Sequence, residues 1–153
     1  MNAKLGRGDG TLSTQPWKSV STSLVVTRTA LDPQAISDAL ELPRAGTVDE
    51  CGAGVVSREG WWAFVHPAAD HPRWEHQLRS LAGHVQPRAA KVRELISLGH
   101  SLHISISGTA GTGDTLFISL AAQQHLAALA LPVRCTVIST NGEPPSDPLN
   151  WLD

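Results

Sequence analysis

The residues of this chain whose types could do chemistry are seven histidines and two cysteines, and their spacing decides how much chemistry they can support. His66, His71, His76, His84, His100, His103 and His125 could ligate a metal or exchange protons near neutral pH. A helical metal pair requires a separation of three or four residues. His71 and His76 are five apart and so fall on different helix faces. His100 and His103 have a suitable spacing, but Gly99 and the strand pattern that follows place one at a helix end and the other in a strand. The remaining pair is His66 with His103. Both are expected on a strand face beside Trp62, where either imidazole could act as acid or base. The spacing matches no metal framework, so neither a metal nor a cofactor is expected.

The cysteines are poor nucleophile candidates. Cys51 lies in Asp49-Glu-Cys-Gly52, where adjacent carboxylates raise a thiol pKa and oppose thiolate formation. Cys135 is expected on the inward face of a strand with Val133 and Val137. The glycine-rich stretch Gly108 to Gly113 lacks the Lys-Ser/Thr ending of a phosphate loop and stands between two predicted strands, so it reads as a turn. No Gly-x-Ser-x-Gly elbow, His-Glu-x-x-His helix or Asp-rich calcium loop occurs.

The elements that would position these residues follow from periodicity and punctuation. Residues 1–22 are rich in Ser, Thr and Gly and read as a flexible arm; residues 23–140 read as one domain; residues 141–153 form a Pro-rich tail. Ser23 to Thr29 predicts a strand. Asp32 and Pro33 then supply an N-cap and a first-turn proline for a helix that stops before Pro43. Arg44 to Glu59 reads as an exposed loop or weak hairpin ahead of a strand at Gly60 to His66. In that strand Trp61, Ala63 and Val65 share one face, and Trp62, Phe64 and His66 share the other. Trp74, Leu78, Leu81 and Val85 recur at helical spacing behind Asp70, His71 and Pro72. Pro87 divides this region into two short helices or one kinked helix ending at Gly99.

Leu102, Ile104 and Ile106 alternate with His103, Ser105 and Ser107, which predicts a half-buried strand. A hairpin through Gly108 to Asp114 then returns as a strand at Thr115 to Ser119. Ser119 caps a helix with Leu126, Leu129 and Ala130 inward, and Val133 to Ser139 is the last strand. This order predicts an α+β fold: a two-layer sandwich with a mostly antiparallel sheet and helices packed on one face, broadly ferredoxin-like.

Composition bounds the function classes. The chain has 153 residues, a net charge of −2, 41% hydrophobic and 17% charged residues, enough apolar content for one core and no cationic excess for nucleic acid. Five Trp, two Phe and no Tyr remove tyrosine from any catalytic list. No apolar run is long enough to span a membrane, and residues 1–23 hold no signal-peptide apolar core, so a cytoplasmic protein with free thiols is expected.

Leu31-Asp-Pro-Gln-Ala-Ile-Ser37 with Leu40 and Leu42-Pro43, followed by a Trp-bearing strand, forms one recognisable pattern. Gln77-Leu78 through Leu81, Gln86-Pro-Arg88, Val92 to Leu95, the strand Leu102 to Ser107, and Phe117-Ile-Ser-Leu120 running to Pro132 continue it. Together they resemble the bacterial domain of unknown function 4279, over roughly Leu24 to Ser139. The chain departs from that family in having Glu41-Leu-Pro-Arg44 and Asp49-Glu50 where members carry a Gly-x-Pro-Thr segment and a basic turn. The resemblance implies a fold and no reaction. It implies an immunity or accessory role only through the toxin genes beside which such families sit.

The leading expectation is therefore a non-enzymatic cytoplasmic protein-binding module of immunity or accessory type. Its contact surface would be Asp49, Glu50 and Glu59 with Trp61, Trp62 and Phe64, and its partner a basic protein or a second copy. The competing expectation is a small enzyme or ligand-binding domain. That reading needs an aromatic pocket between sheet and helices, lined by Trp62, Phe64, His66 and His103.

Overall fold

The computed structural model describes residues 15–44, 46 and 52–139. Strand β1 (Lys18–Thr27) is rich in β-branched and small residues and buries Val20, Thr22, Leu24 and Val26. It starts at Lys18, so residues 18–22 belong to the sheet and not to the arm that their composition suggests. Helix α1 (Pro33–Leu40) is capped as its sequence predicts: Asp32 Oδ1 accepts from the Gln34 N–H at 3.1 Å, and Ile36 and Leu40 are buried. Strands β2 (Gly54–Arg58) and β3 (Trp61–Val65) form a hairpin turned at Glu59-Gly60, with Arg58 opposite Trp61.

Helix α2 (Glu75–Val85) buries Leu78, Leu81 and Val85 on one face, and Trp74 directly ahead of it is fully buried, the face that the sequence spacing predicts. Asp70 does not cap this helix; its Oδ1 accepts from the Ser19 N–H at 2.9 Å. A short 3-10 turn (Gln86–Arg88) carrying Pro87 separates α2 from α3 (Ala89–Ser97). Strand β4 (Ser101–Ala110), helix α4 (Leu120–Leu129) and strand β5 (Val133–Ser139) complete the described chain.

The sheet order is β2-β3-β1-β4-β5, and every pairing is antiparallel except β4 with β5. The first four strands with their intervening helices have the βαββαβ connectivity and strand order of a ferredoxin-like sandwich. The β4-α4-β5 crossover then adds a parallel strand at one edge. The helices contribute Ile36, Leu40, Trp74, Leu78, Leu81, Val92 and Leu95 to a core shared with Leu24, Val26, Trp62, Phe64, Ile104 and Ile106 of the strands. Each fully buried aliphatic side chain there contributes about 1.5–3 kcal/mol. A second, smaller cluster of Val25, Trp61 and Ala63 lies on the other face of the sheet.

The predicted hairpin after β4 does not form. Asp114 closes a turn by accepting from the Gly111 N–H at 2.8 Å, but Thr115 then pairs with the segment ahead of β1. Its N–H donates to Gln15 and its carbonyl accepts from Trp17, both at 3.0 Å. The physical reason is occupancy: β4 already has β1 on one flank and β5 on the other, so neither flank is free for a returning strand. Gly108 admits the close approach of β1 to β4. A Cβ at that position would stand 3.1 Å from both Trp17 Cε3 and Val20 Cγ2.

Helix α4 is capped by Ser119, whose Oγ accepts from the Ala122 N–H at 3.1 Å. Glu75 of α2 holds that cap in turn, accepting from the Ser119 N–H at 2.9 Å and from its hydroxyl at 2.8 Å. Leu129 is buried and Leu126 half-buried, but Ala130 is exposed because it ends the helix in the left-handed conformation. On β5, Cys135 is exposed with Val133 and Val137; among the described residues no helix covers the expected inward face of this strand.

Candidate functional site

Cross-strand register sorts the sequence candidates onto two faces. Leu24 pairs with Phe64 and Val26 with Trp62, which puts Trp62 and Phe64 on the helix side. Val25 pairs with His103 on one flank and Ala63 on the other, and Thr27 pairs with Trp61 and Ser101, which puts His103 and Trp61 on the opposite side. His66 lies on the Trp62 side, its ring edge-on to Phe64 with centroids 5.1 Å apart. His66 and His103 are thus separated by the sheet and form no catalytic or metal pair. Strand alternation is local, but which residues of β3 and β4 share a face depends on how both strands meet β1.

The helix-side candidates are structural. Trp62 is fully buried and donates its indole N–H to Ser37 Oγ at 3.1 Å; Phe64 is buried; His66 Nδ1 lies 3.2 Å from the Thr22 carbonyl oxygen. The space where a ligand pocket between sheet and helices was expected is filled by Trp62, Trp74, Leu78 and Leu81. Asp49 and Glu50 of the expected acidic contact surface lie outside the described residues, and Glu59 is exposed.

The other face carries a cleft of about 370 Å³ lined by Thr27, Arg58, Glu59, Gly60, Trp61, Ser101, His103 and Arg134. All five strands contribute to it. Arg58, Trp61, Thr27 and Ser101 stand in one row across β2, β3, β1 and β4, His103 stands one pleat further along β4, and Arg134 projects from β5 beside Ser105. Trp61 packs on Val25 and Ala63 and is only 8% exposed. Its Nε1 and His103 Nε2 have no hydrogen-bond partner among the described residues. An adjoining recess shares Thr27, Gly60 and Ser101 and adds Arg28.

Among the described residues the cleft is lined by the guanidinium groups of Arg58 and Arg134 and the carboxylate of Glu59, with Arg134 next to His103. Burial pushes the His103 pKa below its ordinary value, and the positive charge of Arg134 pushes it the same way. An imidazole held neutral next to an arginine takes up a proton readily once an anion arrives, because the anion compensates both positive charges. The hydroxyls of Thr27 and Ser101 add donors to the same wall. The arrangement can hold an acidic group. Cys135 is not part of it: it projects on the opposite side of the sheet, and desolvation raises its thiol pKa.

Sequence reading selected Trp61, Glu59 and His103 and missed Arg58, Arg134, Thr27 and Ser101. Arg134 carries a usable signal, as the lone charge in Val133-Arg-Cys-Thr-Val137. Its meaning emerges only when β5 lands beside β4. Among the described residues no three His, Cys, Asp or Glu side chains group to hold a metal, and no helix is long and apolar enough to cross a membrane. In comparison with known proteins, the chain matches no family model, no curated protein and no solved structure.

Proposed function

We propose that the protein is a non-enzymatic binding module that recognises an acidic group, a carboxylate or a phosphate, in the cleft on the sheet face opposite the helices. One observation carries this reading: Arg134 and His103, from two different strands, line one cleft beside the indole of Trp61. Guanidinium groups match the planar, bidentate geometry of carboxylate and phosphate oxygens, and the indole supplies an apolar wall that limits water access. A protein partner would present such a group as an acidic side chain or a chain terminus, and a small molecule as a free acid. The proposed partner is therefore acidic at the point of contact, whereas the acidic loop alone suggested a basic one.

The test is a nuclear magnetic resonance titration of the full chain with acetate, inorganic phosphate and a short glutamate-rich peptide. The Trp61 indole N–H and the His103 ring resonances are followed, with Trp61→Phe used for assignment. Saturable shifts at both groups are expected with at least one probe, and Arg134→Glu abolishes them. Unmoved Trp61 and His103 resonances, or shifts that survive Arg134→Glu, overturn the proposal. Stronger response to the peptide than to either free ion indicates a protein partner.

A further inference from the structure

The backbone directions along β5 follow from its parallel ladder with β4. Ile104 donates its N–H to the Pro132 carbonyl at 2.8 Å and stands in register with Val133. In a parallel ladder, alternate residues turn both backbone groups to the same neighbour. Arg134, Thr136 and Ile138 therefore face β4 with their N–H and C=O groups, while Val133, Cys135, Val137 and Ser139 present theirs to the outer edge. Among the described residues no strand or bridge pairs with that edge.

Side chains reinforce the same strip. Val133, Cys135 and Val137 project on the helix side, but α4 lies along α2 and leaves Val133 42% and Val137 50% exposed. Edge strands are normally blunted by proline, lysine, a bulge or a covering segment. β5 has no proline, no lysine and a regular ladder over its whole length. The opposite edge is shorter, and there Gly46 donates its N–H to the Val55 carbonyl at 2.7 Å.

We infer that two copies of this chain associate through antiparallel pairing of their β5 edges, forming one continuous sheet across a two-fold axis at Thr136. This register sets Val133 opposite Ser139 and Cys135 opposite Val137, so every outward donor meets an outward acceptor. Arg134 then faces Ile138 of the second copy and never another Arg134, and the helix-side strip of each copy extends the apolar strip of the other. Residues 140–153 are a poorer occupant. A return strand through Asn141-Gly142 would set Pro144 opposite Ser139 and Pro148 opposite Cys135, and proline has no N–H to donate at either position. The inference is independent of the acidic-ligand reading, which concerns the other face of the sheet.

Sedimentation equilibrium of the full chain tests it. The expected mass is twice 16.3 kDa. Val137→Pro is expected to return the mass to that of one chain with an unchanged far-ultraviolet spectrum, since the Val137 N–H is not used in the β4 ladder. Val137→Lys, which adds a charge without altering the backbone, is expected to do the same. In a Cys51→Ser background, a short bismaleimide is expected to join Cys135 to its counterpart in the second copy. A wild-type mass of one chain at every concentration overturns the inference. So does a dimer that persists in both Val137 variants.

Discussion

The indole N–H of Trp62 donates to the hydroxyl of Ser37 at 3.1 Å, joining the β2-β3 hairpin to α1 with both residues fully buried. Removing the acceptor leaves a donor that neither protein nor water can satisfy. Ser37→Ala is expected to lower stability by about 1–3 kcal/mol, read as a shift of the urea midpoint at constant slope. An unchanged midpoint would mean that the pair contributes nothing net.

Gln77 makes a longer connection. Its Oε1 accepts from the Thr22 N–H at 2.7 Å, and its Nε2 donates to the carbonyls of Val20 at 3.1 Å and Pro67 at 2.8 Å. This amide satisfies the backbone beside the β1 irregularity between Lys18 and Ser21. Gln77→Leu keeps the apolar bulk but removes the Gln77 partner of the Thr22 N–H and of the Pro67 carbonyl, while the Val20 carbonyl keeps the Ala69 N–H at 2.9 Å, so a loss of about 2 kcal/mol is expected in the same denaturation measurement. Amides of β1 near Val20 should exchange faster while those of α3 do not.

Glu75 clamps the start of α4 through two hydrogen bonds to Ser119. Bonds to an ionised acceptor contribute about 1.5–3 kcal/mol each. Glu75→Gln replaces one acceptor oxygen with a donor and is expected to accelerate hydrogen exchange throughout α4 with little change in β1. Equal acceleration in both elements would show that α4 is not an independently anchored unit.

Acid should destabilise the protein through His84 and His103. Burial lowers both pKa values; for His84 it outweighs the raising effect of the Leu40 carbonyl, while Arg88 lowers the value further. A histidine with a lowered folded-state pKa binds protons more readily when unfolded. Its stability contribution is therefore complete above the unfolded value of about 6.5 and declines as pH falls from there toward the lower folded value. Urea denaturation across this window should show that decline, and the double variant His84→Gln, His103→Gln should flatten it.

Binding in the cleft has the matching sign. An anion beside His103 favours the protonated ring, so affinity for acetate is expected to rise as pH falls through the range in which His103 takes up its proton. Arg134→Gln removes a positive charge that lowers the His103 pKa. The ring of that variant should titrate at higher pH than in the wild type, and an unshifted titration would separate Arg134 from the site.

Much of the fold is legible along the chain because helices and strands write their periods into short segments. Asp32 and Pro33 announce α1, the Trp74, Leu78, Leu81 and Val85 spacing announces α2, and the alternation from Leu102 to Ser107 announces β4. These signals are local and survive without knowledge of neighbours.

The site is not local in that sense. Alternation shows that Trp61 and Trp62 face opposite ways, but only the pairing of β1 with both β3 and β4 puts His103 with Trp61 and leaves His66 behind the sheet. The Thr115 segment has the composition of a strand, yet it pairs ahead of β1 because both flanks of β4 are taken. Arg134 reaches the cleft because β5 runs parallel to β4 with Arg134 beside Ser105. Backbone periodicity belongs to each segment alone, whereas register, burial and the meeting of charges depend on which distant segment lies alongside, and the packed chain settles that.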